Sequence, residues 1–142
     1  MQPTTVPPPA KVLVIDDNPI IQHTVQFALQ EFGYQVFAVG DIADALNILR
    51  KEKPALILLD INFPLDSGVF SGSQRDGFWA LEWLHYLEDA KGIPVIIISA
   101  DPPEKSKAQA LAAGAAAYFH KPINKDELAA TIARLLGGKP SA

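Results

Sequence analysis

The chain has 142 residues, a hydrophobic fraction of 49%, a formal net charge of −4 and no cysteine. One domain with a full core is expected at this length, and the lack of cysteine excludes disulfide frameworks, thiolate catalysis and cysteine–zinc sites. A mildly acidic chain without a basic run is a poor candidate for nucleic-acid binding. No apolar run reaches the ~20 residues that cross a bilayer, so we expect a cytoplasmic protein that binds neither nucleic acid nor membrane.

The two ends of the chain differ in composition from the part between them. Residues 1–10 hold four prolines and show no periodicity, which predicts a disordered leader without the apolar segment of a signal peptide. The tail, residues 138–142, is interpreted in the same way. The predicted domain therefore spans residues 11–137.

Strand and helix patterns alternate within this domain. In chain order the predicted elements are strand Lys11–Ile15, a helix capped by Asn18 and ended by Gly33, strand Tyr34–Val39, a helix capped by Asp41, strand Ala55–Leu59, a helix from Phe78 to Ala90, strand Pro94–Ile98, helix Glu104–Ala113, strand Ala115–Phe119 and a helix capped by Asn124. Strands that alternate with helices predict a doubly wound (βα)5 fold of the α/β class, with a five-stranded parallel sheet covered on both faces.

Polar residues follow four of the predicted strands. They are Asp16 and Asp17, Asp60 with Asn62, Ser99, and Lys121. Because ligand sites of open α/β sheets lie at the carboxyl ends of the strands, these side chains are expected to share one edge. Two carboxylates ~4 Å apart repel by ~4 kcal/mol at an effective dielectric constant of ~20. Lys121 and a hard divalent cation such as Mg²⁺ would offset that repulsion. Attack of a carboxylate on phosphorus fits this chemistry.

Four motifs at these strand ends carry a resemblance to a known family. The segments VLVIDDNP, LILLDINFP, VIIISA and YFHKP resemble the receiver domain of bacterial response regulators, over nearly the whole chain from Lys11 to Leu136. The resemblance implies a flavodoxin-like sheet with strand order 2-1-3-4-5. It also implies Mg²⁺-dependent phosphorylation by a histidine kinase or a histidine phosphotransfer protein, with a downstream target protein reading the result.

The resemblance also implies a role for each site residue. Asp60 is the expected phosphoacceptor, and the expected Mg²⁺ ligands are Asp16, Asp17, Asp60 and the backbone carbonyl of Asn62. Lys121 would stabilise phosphoryl charge, and the proline after it is usually cis in this family. Ser99 and Tyr118 would form the conformational switch.

Further residues receive roles at the edges of the site. Asn62 and Asp101 match positions that tune dephosphorylation in this family, which predicts a short-lived phosphoryl state. Kinase docking is expected at Ile20, Ile21, Thr24, Pro122 and Ile123, and output at the surface of the fourth helix, fifth strand and fifth helix. We expect a monomer or weak homodimer that catalyses only its own phosphorylation and dephosphorylation.

The sequence departs from the family between Pro64 and Asp76. Residues 65–75 form an inserted loop beside the acceptor strand, either a cover for Asp60, a partner surface or a surface insertion without a role. The helix after the loop carries Trp79, Trp83 and Tyr86 at helical spacing. These aromatic residues either pack against neighbouring elements or form a partner surface.

Three other functions compete with a phosphorylated receiver. A pseudo-receiver would keep the fold and bind partners without phosphorylation, although the complete set of site residues argues against it. An FMN protein of the flavodoxin type needs hydroxyls and amides where Asp16 and Asp17 would repel a phosphate. A phosphatase with an aspartate nucleophile needs a D-x-D arrangement after the first strand, whereas these two acids are adjacent.

Overall fold

The computed structural model of the protein describes residues 10–60, 77–100 and 102–136. Within these ranges the strands are β1 Lys11–Ile15, β2 Gln35–Val39, β3 Leu56–Asp60, β4 Val95–Ser99 and β5 Ala117–His120. The helices are α1 Pro19–Glu31, α2 Ile42–Glu52, α3 Gly77–Tyr86, α4 Pro103–Ala112 and α5 Lys125–Leu135. All strand pairs are parallel, and the sheet order is β2-β1-β3-β4-β5. The predicted (βα)5 fold and strand order are confirmed.

Both faces of the sheet are buried, as the continuous apolar strands predict. On one face Leu13, Ile57 and Ile97 join a cluster with residues of α2, α3 and α4. On the other face Val14 and Leu58 join a cluster with residues of α1 and α5. Neighbouring residues of a strand thus enter different layers, because side chains alternate across a sheet. Because all strand pairs are parallel, the carboxyl ends of the strands lie at one edge of this three-layer arrangement.

Side-chain caps fix three of the helix starts. The side-chain oxygens of Asn18, Asp41 and Asn124 accept hydrogen bonds from the backbone N–H groups of Ile20, Asp44 and Glu127 respectively. Each bond satisfies a donor that the first helical turn leaves without an intrahelical partner. Gly33 follows α1 with a φ of 92°, a left-handed conformation that glycine adopts without a side-chain penalty. These boundaries agree with the predicted ones.

Two element boundaries differ from the prediction by more than one residue, and several others by one. The predicted third helix ran to Ala90, but α3 ends at Tyr86 and a 3₁₀ turn covers Glu88–Ala90. Leu87 between them is extended, with ψ of 130°. The fifth strand begins at Ala117 rather than Ala115, because the Ala115 N–H donates to the carbonyl of Ala110 and so completes the end of α4.

Candidate functional site

The carboxyl edge of the sheet brings three carboxylates together. Asp16 and Asp17 follow β1 directly, and Asp60 is the last residue of β3. Each side chain can offer one oxygen such that the three oxygens lie within 4.8 Å of one another. Asp16 is 1% exposed and Asp60 is 4% exposed, whereas Asp17 faces solvent. The edge therefore concentrates negative charge in a largely dehydrated place.

Asp16 is held by several elements at once. Its N–H donates to the carbonyl of Val39 on β2 at 3.1 Å. Its Oδ1 accepts from the N–H of Asn18 at 2.9 Å, and its carbonyl accepts from the side-chain amide of Gln22 on α1. Gln22 thereby fixes the backbone that carries the acid pair, a role that sequence reasoning missed because a side chain reaching a loop carbonyl leaves no spacing signal.

The ammonium group of Lys121 lies between the two buried acids. Lys121 Nζ is 3.6 Å from Asp16 Oδ2 and 3.6 Å from Asp60 Oδ1, and its side chain is 20% exposed. The Lys121–Pro122 peptide bond is cis, as expected. Because one cation faces three carboxylates, the group as described keeps an excess of negative charge.

The three carboxylates are arranged to bind a divalent cation. Among the described residues, Asp16 Oδ2 is buried and accepts no hydrogen bond. An unsatisfied buried oxygen is costly unless another partner compensates it. Carboxylate oxygens are ligands that Mg²⁺ prefers, and the exposed Asp17 leaves one side of the site open to solvent. The residues that would hold the ion are Asp16, Asp17 and Asp60.

Ser99 and Tyr118 lie near this edge on the neighbouring strands. Ser99 ends β4 and is fully buried, one residue beyond Ile98, which pairs with Asp60. Tyr118 on β5 is 9% exposed and pairs with Ile97 of β4. Ser99 is therefore one strand from Asp60, and Tyr118 is one strand further.

Comparison of the sequence with known protein families agrees with the geometry of this site. A profile of the response regulator receiver domain matches residues 12–133 of the chain. The chain belongs to the response regulator receiver family. Receiver domains are signalling modules of two-component systems; phosphoryl acceptance is general to the family, and an acidic pocket binds Mg²⁺.

Individual relatives resemble this receiver over most of its length. Protein PilH of Pseudomonas aeruginosa is 31% identical over 129 residues, which cover 91% of this chain and 99% of PilH. The transcriptional regulatory protein KdpE of Staphylococcus aureus is 34% identical over 123 residues, 87% of this chain. This receiver spans about half the length of KdpE, since the match covers 48% of that protein.

Solved structures share the fold. The chemotaxis response regulator CheY4 of Vibrio cholerae superposes with a TM-score of 0.73 at 29% identity, covering 89% of this chain and 98% of CheY4. The receiver domain of the sensor histidine kinase PA1611 from Pseudomonas aeruginosa has a TM-score of 0.74 at 25% identity, with 92% and 99% covered. The PA1611 structure holds a magnesium ion in its active site cleft.

Two grooves lie on the surface of the described residues. Helix α1 exposes Ile20 and Phe27, which are 72% and 68% exposed. A groove of about 160 Å³ lies between α1 and α5, lined by Thr24, Val25, Ala28, Ile123, Lys125 and Leu128. The Lys125 ammonium donates a 2.9 Å hydrogen bond to Glu31, which raises the Lys125 pKa.

A larger groove of about 630 Å³ runs along α4, β5 and α5.

Some of the remaining predicted residues lie in the described part of the structure, and others lie outside it. Thr24 and Pro122 are exposed, whereas Ile21 and Ile123 are half-buried and pack against the core. Trp83 is half-buried against the core, and Tyr86 is 88% exposed. Asn62, Asp101, the loop 65–75, the side chain of Trp79, and the leader and tail other than Ala10 lie outside the described residues.

No helix of the described residues is both long enough and apolar enough to cross a membrane.

Proposed function

We propose that this receiver takes a phosphoryl group onto Asp60 and thereby switches its binding to partner proteins. The observation that carries the proposal is the position of Asp60, buried at the end of β3 beside two further carboxylates, with Lys121 Nζ 3.6 Å from its Oδ1. This buried carboxylate lies beside a lysine ammonium and beside carboxylate oxygens that can bind a metal ion. Such a site can stabilise a phosphoryl group, which is negatively charged and itself contacts the metal ion.

The chemistry is a single displacement at phosphorus. One carboxylate oxygen of Asp60 attacks the phosphorus atom of the donor, and the bond between phosphorus and the leaving nitrogen or oxygen breaks with its electron pair. A Mg²⁺ ion at the Asp16–Asp17–Asp60 group, also served by the Asn62 carbonyl, would neutralise charge on the phosphoryl oxygens when bound. Lys121 donates to a second phosphoryl oxygen, and the Ser99 hydroxyl to a third. The leaving nitrogen would be that of a phosphohistidine protein, and the leaving oxygen that of a small acyl phosphate.

Signal transfer would use the two grooves. The exposed start of α1 with Ile20, Thr24 and Pro122 suits docking of a histidine kinase or a phosphotransfer protein, beside the groove between α1 and α5. Movement of Ser99 towards the phosphoryl group, followed by Tyr118, would alter the α4–β5–α5 groove that a target protein reads.

Beryllofluoride with Mg²⁺ tests this function against the pseudo-receiver alternative. Because beryllofluoride imitates a phosphoryl group on a carboxylate, we expect backbone amide resonances near the ends of β3, β4 and β5 to shift in the unmutated chain. The Asp60→Asn chain should give no such shifts. An unchanged spectrum for the unmutated chain would instead favour a pseudo-receiver that binds partners without phosphorylation.

The lifetime of the phosphoryl group gives a second prediction. Asn62 and Asp101 are proposed to admit and orient a water molecule for in-line attack on the acyl phosphate. Asp101→Arg should therefore slow dephosphorylation severalfold, measured as the decay of the phosphorylated mass after the donor is removed. An unchanged decay rate would refute the role of Asp101 without affecting that of Asp60.

A further inference from the structure

A side chain ties the end of β5 to the segment that follows β4. Ser99 and His120 are register partners at the ends of these two strands. The Lys121 N–H donates to the Ser99 carbonyl at 2.8 Å. Ala100 is the residue after Ser99, and its carbonyl oxygen lies 3.1 Å from the His120 Nε2. The consecutive carbonyls of Ser99 and Ala100, at the end of β4, are thus held by the consecutive residues Lys121 and His120, at the end of β5.

These two bonds have different origins. The bond from Lys121 comes from the backbone, and any residue except proline could make it. The bond to Ala100 depends on the imidazole, because a carbonyl only accepts and the ring nitrogen must therefore be the Nε2–H donor. The His120 ring is exposed, so its replacement leaves the core unchanged. The His120–Ala100 bond is consequently a feature that one substitution can remove selectively.

We propose that His120 is a positioning residue that holds the junction between β4 and α4 in its unphosphorylated place. The inference rests on the proposed function, in which Ser99 moves towards a phosphoryl group on Asp60. Because β4 lies between β3 and β5, a displacement of Ser99 towards Asp60 on β3 draws the following Ala100 carbonyl away from the His120 ring on β5. The His120–Ala100 bond stabilises the resting conformation and opposes the one that accepts the phosphoryl group.

The expected size of the effect follows from one exposed hydrogen bond. The net contribution of a neutral hydrogen bond corresponds to roughly a twofold to twelvefold change in an equilibrium constant. Because water reaches the ring, the lower part of that range applies. Loss of the His120–Ala100 bond should therefore raise the population of the accepting conformation, and with it the phosphorylation rate, by roughly twofold to fivefold.

Three variants separate the hydrogen bond from the other properties of His120. His120→Phe keeps a ring but has no donor, and His120→Gln places an amide donor at a reach similar to that of Nε2. His23→Phe makes the same exchange at an exposed histidine on α1. The initial rate of phosphorylation by acetyl phosphate with Mg²⁺ is measured by intact mass. We expect His120→Phe to react roughly twofold to fivefold faster, and the other two variants to match the unmutated chain.

Hydrogen exchange tests the resting state itself. In the unphosphorylated protein, amides of residues 96–106 should exchange faster in His120→Phe and at the original rate in His120→Gln, after correction for any difference in global unfolding free energy. Faster exchange confined to this segment supports the proposal, since a purely global effect would appear in all strands.

The outcomes distinguish the two proposals. Equal phosphorylation rates in His120→Phe and the unmutated chain would overturn the role of His120 and leave Asp60 as the acceptor. His120→Gln behaving like His120→Phe would also overturn it, because the donor would not be the property that matters. No adduct in any variant would overturn the proposed function, and the role of His120 with it.

Discussion

Replacement of Lys121 by methionine is expected to slow phosphorylation by acetyl phosphate about 100-fold. The ammonium lies 3.6 Å from the carboxylates of both Asp16 and Asp60, where it can stabilise charge that develops on the transferred group. Removal of one preorganised donor of this kind costs roughly 10²–10³ in rate. Methionine keeps the length and apolar stem of lysine, so the change isolates the charge.

Lys11→Met is the matched control for that experiment. Lys11 is the first residue of β1, at the opposite end of the strand from Asp16, and pairs with Glu52 at 3.0 Å. Its loss should leave the phosphorylation rate within about twofold, because the half-buried Lys11–Glu52 pair lies at the end of β1 that is far from the chemistry. A Lys121→Met chain that reacts as fast as the Lys11→Met chain would contradict the role of Lys121.

Asp17→Asn is expected to change the stability of the protein in opposite directions without and with Mg²⁺. Without the ion, removal of one of three carboxylates whose oxygens lie within 4.8 Å relieves repulsion. Two unit charges at that distance repel by ~1 kcal/mol in water and by ~3.5 kcal/mol at an effective dielectric constant of ~20. Since Asp17 is exposed, a gain of ~1 kcal/mol in unfolding free energy is expected.

With Mg²⁺ the Asp17→Asn chain is expected to be less stable than the unmutated chain. An ion that binds the folded state alone stabilises it by ~2.7 kcal/mol when its concentration is 100 times its dissociation constant. Asp17→Asn should lose most of this gain, because one of the three oxygen donors becomes a neutral amide. Urea unfolding with and without MgCl₂ measures both effects, with Glu82→Gln, an exposed acid on α3, as the control. If Mg²⁺ raised the unfolding free energy equally in the unmutated, Asp17→Asn and Glu82→Gln chains, Asp17 would be excluded as a ligand.

The fold could be predicted because its signals are local and repeated. Runs such as Val12–Ile15 and Val95–Ile98 are long enough and apolar enough to occupy a sheet buried on both faces, and the caps Asn18, Asp41 and Asn124 mark helix starts directly. The meeting of Asp16, Asp17, Asp60 and Lys121 followed from the rule that parallel strands share a carboxyl edge.

The parts that could not be predicted depend on contacts between distant segments. Nothing in the sequence around Leu87 marks the end of α3, since neither glycine nor proline is present there. The link from Gln22 to the Asp16 carbonyl and that from His120 to the Ala100 carbonyl depend on how side chains reach across loops. The ring of His85 likewise lies over Gly114, where an added Cβ would collide with its Cε1 atom. Periodicity carries no information about such contacts.

Intact mass after incubation with acetyl phosphate and Mg²⁺ tests the central claim most directly, with the Asp60→Asn chain in parallel. We predict that the unmutated chain gains one phosphoryl group, which disappears with time and does not form when EDTA removes Mg²⁺. The Asp60→Asn chain should keep its original mass. An adduct of equal extent on the Asp60→Asn chain, or none on the unmutated chain, would contradict the assignment of Asp60 as the phosphoacceptor.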